Sequence, residues 1–169
     1  MRLLIFGAGM LGSFYAVKLL AAGHGVTILA RGRRAAQLGE DGLVVQEYGR
    51  NRLRAPVSVI ESLDPESSCE YVLVLVRNDQ VESVLPALAA NKATPSLVFM
   101  FNNLGGPLRL IDVLGHDRVV LGFLGAAGER AAGRRQRRGT GAAGADPEDD
   151  DPARLMAALG RGFRRSPLH

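Results

Sequence analysis

The chain has 169 residues, 47% of them hydrophobic and 22% charged, with 21 glycines, one cysteine, no tryptophan and a formal net charge of +4. That length suits one α/β domain with a real core, and is short for separate nucleotide and substrate domains. One cysteine excludes an intramolecular disulfide framework, and three histidines beside it argue against a protein-built zinc site.

The charge is unevenly placed. Residues 1–122 carry a net charge of +1, whereas residues 123–169 carry +3 from nine arginines, no lysine and six acids. That tail has neither valine nor isoleucine. A segment so poor in aliphatic residues buries too little surface to offset its ordering entropy. The composition therefore predicts a domain over residues 1–125 and a disordered or irregular, Arg/Gly/Ala-rich low-complexity tail over 126–169. At the other end, Met1-Arg2 before the apolar stretch Leu3–Val17 superficially resembles a signal peptide. Lys18 interrupts the run short of the ~20 residues a membrane span needs, so the expectation is a cytoplasmic protein without a membrane partner.

In chain order, Leu3–Phe6 is a continuous apolar run, as expected for a strand buried on both faces of a parallel sheet. Gly7 stops it, and a helix follows from Met10 to Ala22, closed by Gly23. Val26–Ala30 is a second strand, and a short helix covers Arg33–Leu38. Leu43–Tyr48 and Leu53–Ile60 alternate, and Gly49-Arg50-Asn51 between them suggests a hairpin. Tyr71–Val76 reads as a buried strand, followed by a helix over Gln80–Ala90. Leu97–Phe101 is the next strand, before a helix that starts at Pro107 and ends near Gly115. Arg118–Phe123 is the last strand. Strands alternating with helices predict an α/β fold with a doubly wound parallel sheet of Rossmann type.

The chemistry concentrates after the strands. Gly7-Ala8-Gly9-Met10-Leu11-Gly12 has the GxGxxG spacing, directly after an apolar strand and opening an apolar helix. Gly7 allows the tight turn, Gly9 lets a pyrophosphate approach the backbone, and Gly12 lets helix and strand pack closely. The amides of the helix N-terminus then face the phosphates. Arg31 ends the second strand where an NAD-selective site carries an acid on the ribose 2′-hydroxyl. An arginine there suits a 2′-phosphate and favours NADP(H), with Arg33 and Arg34 available to reinforce it. Arg77-Asn78-Asp79-Gln80 and Asn102-Asn103-Leu104-Gly105-Gly106 follow later strands and point to the same edge of the sheet. Asp79 reads equally well as a helix N-cap, and Asn102 as a turn residue or as a ligand of the reacting groups. His24 and His116 follow glycine-bounded helix ends and suit the surface, and Cys69 precedes a strand and is expected to be inert.

These residues resemble a known family. Arg2–Phe14 with its glycine motif, and Ala21 through Arg31, look like the N-terminal domain of the ketopantoate reductases (2-dehydropantoate 2-reductases). The resemblance covers about residues 1–125. It implies an NADPH-dependent oxidoreductase of the pantothenate pathway, reducing a small 2-keto acid to its 2-hydroxy acid. It assigns Gly7, Ala8, Gly9, Met10, Leu11, Gly12, Arg31, Arg77, Gln80 and Asn102 to the cofactor site. Asn102 also positions substrate and nicotinamide. The family's Lys-x-x-Gln loop is Arg77-x-x-Gln80 here, its Asn-Gly is Asn102-Asn103, and the polar residue before that pair is Phe101. The family's catalytic lysine and a substrate-binding acid lie in a helical second domain, and this sequence has no lysine after Lys92. The expectation is that the chain binds NADP(H) and turns over poorly alone.

Other readings stay open in the sequence. One is a non-catalytic NADP(H)-binding module that senses redox state or completes its site with a partner; self-association into a homo-oligomer is compatible with either. Arg134-Arg135-Gln136-Arg137-Arg138 has the charge of a nucleic-acid-binding segment. However, no aromatic residue lies near it to stack on bases, and an acidic run follows. The tail also has the composition that GC-rich DNA yields out of frame, so a truncated or frame-shifted second domain is a further expectation.

Overall fold

Four of the apolar runs meet at the centre of one sheet. The computed structural model describes residues 1–46, 52–101 and 106–122. In chain order it contains β1 (Arg2–Phe6), α1 (Met10–Ala21), β2 (Gly25–Leu29), α2 (Arg33–Asp41), β3 (Leu43–Gln46), β4 (Arg52–Ala55), β5 (Ser58–Ile60), β6 (Tyr71–Val74), α3 (Val81–Ala90), β7 (Leu97–Met100), α4 (Leu108–Leu114) and β8 (Val119–Gly122). Single turns of 3-10 helix precede α3 at Asn78–Gln80 and β8 at His116–Arg118.

The main sheet has the order β5-β2-β1-β6-β7-β8, with every pairing parallel. The chain starts in the middle, winds outward through β2, then returns to the other side of β1 at β6. This is the doubly wound Rossmann arrangement expected from the sequence, and its switch point lies between β1 and β6. Phe6 is in register with both Leu29 and Val74, and Val74 with Phe99. The four central strands therefore end level, and the loops that follow them emerge along one edge.

Alternate residues of each central strand enter opposite cores. Leu3, Ile5, Ile28 and Leu73 pack under Tyr15, Ala16 and Leu19 of α1 and Leu38 of α2. Leu4, Phe6, Val74 and Phe99 pack under Val84, Leu85 and Leu88 of α3 and Leu110 of α4. Helices on both faces explain why the strands read as unbroken apolar runs instead of alternating ones. Full burial of each such side chain is worth about 1.5–3 kcal/mol of transfer free energy.

The hairpin expected over Leu43–Tyr48 and Leu53–Ile60 is only partly present. β3 and β4 form a two-stranded antiparallel ribbon, with Leu43 opposite Ala55. The second arm then divides: Pro56 follows β4, and Ser58–Ile60 leaves the ribbon to pair in parallel with Thr27–Leu29 at the edge of the main sheet. Proline has no N–H to continue a ladder, so Pro56 marks the change of sheet. Smaller departures concern ends. Pro107 lies just before α4, where its carbonyl accepts the Ile111 N–H at 2.9 Å. Arg118 belongs to the turn before β8, where its guanidinium donates to the carbonyls of Thr94 and Asn91. The expected turn Gly49-Arg50-Asn51, Phe123 and the tail lie outside the described residues.

Candidate functional site

The turn after β1 is shaped by contacts that only glycine permits. Gly7 has φ +122°, and a Cβ there would overlap the carbonyl oxygen of Leu75. That approach is fixed by the sheet, since the Leu75 N–H donates to the Phe6 carbonyl at 2.9 Å. A Cβ on Gly12 would overlap the Gly7 carbonyl oxygen and stand 3.3 Å from Ile5 Cγ2. Gly9 is different: nothing lies within 4 Å of a Cβ built on it. Gly7 and Gly12 thus seat helix against strand, while Gly9 leaves the backbone open to an incoming group.

Gly9 caps α1, and no acidic residue sits in the first turn. The positive end of the helix therefore has no carboxylate of its own to answer it, the condition that suits an anion. Ser13, buried in that first turn, directs both its N–H (3.0 Å) and its hydroxyl (2.7 Å) to the Gly9 carbonyl. Ala8, Gly9, Met10 and Leu11 are half-buried.

Beside this turn, Arg31 in the β2–α2 loop and Arg33 at the start of α2 are both exposed, on either side of Gly32 with its φ of +53°. Arg34 behaves otherwise. Its guanidinium turns back onto the glycine loop, with Nε donating to the Ala8 carbonyl at 3.1 Å and a terminal nitrogen to Ser13 Oγ at 2.8 Å. The sequence grouped Arg33 and Arg34 as equivalent reinforcements of Arg31, and the structure separates them. It also adds Ser13, whose only sequence signal was its place directly after the motif's last glycine.

The β6–α3 loop emerges on the far side of the switch point. Arg77 forms a two-pronged ion pair with Asp79, at 2.9 and 2.7 Å, with both side chains exposed. The Gln80 carboxamide oxygen accepts the Arg77 N–H at 3.2 Å. Asp79 is therefore a partner of Arg77 and caps nothing with its side chain. Asn102 and Asn103 lie outside the described residues. His24 and His116 precede β2 and β8, at the opposite edge of the sheet from these loops. Cys69 is half-buried, its Sγ donating to the Tyr71 carbonyl and lying 3.4 Å from the Thr94 hydroxyl. Among the described residues no group of three His, Cys, Asp or Glu side chains could hold a metal ion, and no helix is long and apolar enough to cross a membrane.

A parallel sheet with level strand ends, a switch point at β1/β6 and a glycine turn feeding a helix define a Rossmann-type α/β domain. The chain belongs to the ketopantoate reductase family: the family described as ketopantoate reductase PanE/ApbA matches residues 3–143. A curated 2-dehydropantoate 2-reductase from Mesorhizobium japonicum is 27% identical over 118 residues, which are 64% of this chain and 36% of that protein. The chain thus spans little more than a third of that relative's length. Among solved structures, 2-dehydropantoate 2-reductase from Geobacter metallireducens superimposes with a TM-score of 0.63 at 23% identity, covering 72% of this chain and 40% of the other. A D-mandelate dehydrogenase ternary structure with NADH and anilino(oxo)acetate gives 0.64 at 20% identity, covering 73% and 40%. These two likenesses concern the fold.

Proposed function

We propose that this chain is the cofactor-binding part of an NADP(H)-dependent oxidoreductase of ketopantoate reductase type, acting on a small 2-keto acid. The observation that carries the reading is the pairing of an open, acid-free glycine turn with an exposed arginine at the end of the adjacent strand. Space over Gly9 and the amides of the α1 N-terminus suit a pyrophosphate, and Arg31 suits a ribose 2′-phosphate through charge and a two-pronged donor set. Family membership and the Rossmann fold support a nicotinamide dinucleotide in general; the preference for the phosphorylated form rests on Arg31. Bound there, the nicotinamide would supply the hydride.

The chain's own residues hold and orient. Arg77 and Gln80 sit in or beside the loop that follows β6, on the side where a nicotinamide and a carboxylate-bearing substrate would meet, and Asn102 comes two positions after β7 in the sequence. A proton must also reach the ketone oxygen. The ketopantoate reductase resemblance places the lysine general acid in a helical second domain, and no lysine follows Lys92 here, so in this proposal residues 1–169 alone turn over slowly.

Calorimetric titration of the 169-residue protein with NADPH and NADH tests the cofactor reading. NADPH is expected to bind at least about tenfold more tightly, which corresponds to ~1.4 kcal/mol. Equal affinities would overturn the argument from Arg31. NADPH oxidation in the presence of ketopantoate, monitored on the same sample, tests the missing proton donor; rapid turnover would show that these residues suffice.

A further inference from the structure

Arg34 makes contacts that the proposed function leaves unused. It stands in the first turn of α2, yet its guanidinium crosses to the β1–α1 turn and satisfies two acceptors there, the Ala8 carbonyl and Ser13 Oγ. Its remaining terminal nitrogen donates to Gln37 Oε1 at 2.9 Å, which fixes the fork from the α2 side. Ser13 passes the constraint on, because its hydroxyl donates to the Gly9 carbonyl at 2.7 Å. One planar cation thus ties together the carbonyl of Ala8 and, through Ser13, that of Gly9.

We propose that Arg34 is a positioning residue for the dinucleotide site: it holds the Ala8–Gly9 backbone in place before the ligand arrives, and leaves recognition of the 2′-phosphate to Arg31. The inference rests on reading the glycine turn as a dinucleotide site. A glycine-rich turn has few side chains of its own to fix it, and glycine has the most backbone freedom to lose on ordering. Fixing the turn in advance removes that ordering cost from binding. Arginine suits the task, since its rigid fork reaches two acceptors at set angles where a lysine offers a single point of charge. The pyrophosphate is common to NADPH and NADH. A residue acting on its loop therefore affects both alike, whereas a ligand of the 2′-phosphate affects only one.

The test uses the 169-residue protein, Arg34→Gln, Arg34→Lys and Ser13→Ala. NADPH and NADH are titrated by calorimetry, and amide hydrogen exchange is followed without ligand. Arg34→Gln should weaken both dinucleotides by a similar factor of about ten. It should also speed exchange of the Ser13 amide, which donates to the Gly9 carbonyl, while Val98 and Phe99 of β7 keep wild-type protection. Ser13→Ala should reproduce part of both effects, and Arg34→Lys should restore part of the affinity. A loss confined to NADPH would make Arg34 a phosphate ligand and overturn the proposal, as would unchanged exchange of the Ser13 amide. If the wild type bound neither dinucleotide, the functional reading would fall, and the exchange measurement would still decide whether Arg34 holds the turn.

Discussion

The carbonyl of Gly7 lies directly against the Cα of Gly12, so that strand β1 and helix α1 meet backbone to backbone with no room for a methyl group between them. Alanine at position 12 would gain about 1 kcal/mol of helix propensity. Against this, its Cβ would overlap a carbonyl held at the end of a central strand, which cannot move without disturbing β1. Gly12→Ala is expected to destabilise the domain by about 1–3 kcal/mol, the usual cost of overpacking. Thermal melting without ligand measures it, and a midpoint at or above wild type would refute the close approach.

Gly9 should respond in the opposite way. Its φ of −71° is ordinary for any residue, and nothing stands within 4 Å of an added Cβ. Gly9→Ala is therefore expected to fold with a stability within about 0.5 kcal/mol of wild type. NADPH affinity should nevertheless fall about tenfold or more, because the methyl group occupies the space through which a pyrophosphate reaches the backbone. Melting and titration on the same sample separate the two effects; undiminished binding would show that the ligand does not approach there.

These two glycines also mark how far the sequence could be read. The spacing of Gly7, Gly9 and Gly12 after Leu3–Phe6 identifies the turn and the helix, since each glycine answers a local geometric need. Apolar runs bounded by turn residues likewise locate the four central strands. The division of Leu53–Ile60 between two sheets was not legible, because which strand a short segment pairs with depends on partners distant in the chain. Pro56 was the available sign. The role of Arg34 was equally hidden: its contacts at Ala8 and Ser13 lie 26 and 21 positions away, and in the sequence it is one of three arginines flanking Gly32.

Arg31 is exposed two residues past the end of β2, with no neighbouring acid in the first turn of α2 to neutralise it. In the proposed site its contribution goes to the 2′-phosphate alone. Arg31→Ala should weaken NADPH by about tenfold or more, in line with the ~1.5–3 kcal/mol typical of a hydrogen bond to a charged group. NADH affinity should change by less than about twofold, since that ligand lacks the group Arg31 would meet. Parallel losses for both ligands would place Arg31 outside the specificity pocket.

Asn91, at the end of α3, organises a part of the fold remote from the glycine turn. It is 1% exposed, and its Nδ2 donates to the carbonyls of Asp64 (2.8 Å) and Ser67 (2.7 Å), while Oδ1 accepts the Thr94 N–H at 3.2 Å. Arg118 completes the cluster by donating to the backbone carbonyls of Asn91 and Thr94. Asn91→Ala would strand several buried polar groups at about 1–3 kcal/mol for each one left unpaired. A loss of roughly 3 kcal/mol is expected in chemical denaturation, with dinucleotide affinity retained wherever the protein is folded. A loss under about 0.5 kcal/mol would show that water replaces the carboxamide.

Helices α3 and α4 are linked on the surface by Glu82 and Arg109, whose guanidinium donates to both carboxylate oxygens at 3.1 and 3.0 Å. That hydrogen-bonded contact holds the Glu82 carboxyl below its ordinary range and raises the already high value of Arg109. Because the folded-state pKa of Glu82 is depressed, the pair contributes above the unfolded glutamate value and is lost as pH falls through the lowered folded value. Arg109 stays protonated throughout, so the acid limb reports Glu82 alone. An NMR titration of the Glu82 side-chain carbonyl should show a depressed midpoint that returns to the ordinary glutamate range in Arg109→Ala. Added salt should raise the wild-type midpoint, since both side chains are exposed and screened at a Debye length of ~3 Å in 1 M salt. Identical midpoints in the two proteins would mean that the pair does not persist in solution.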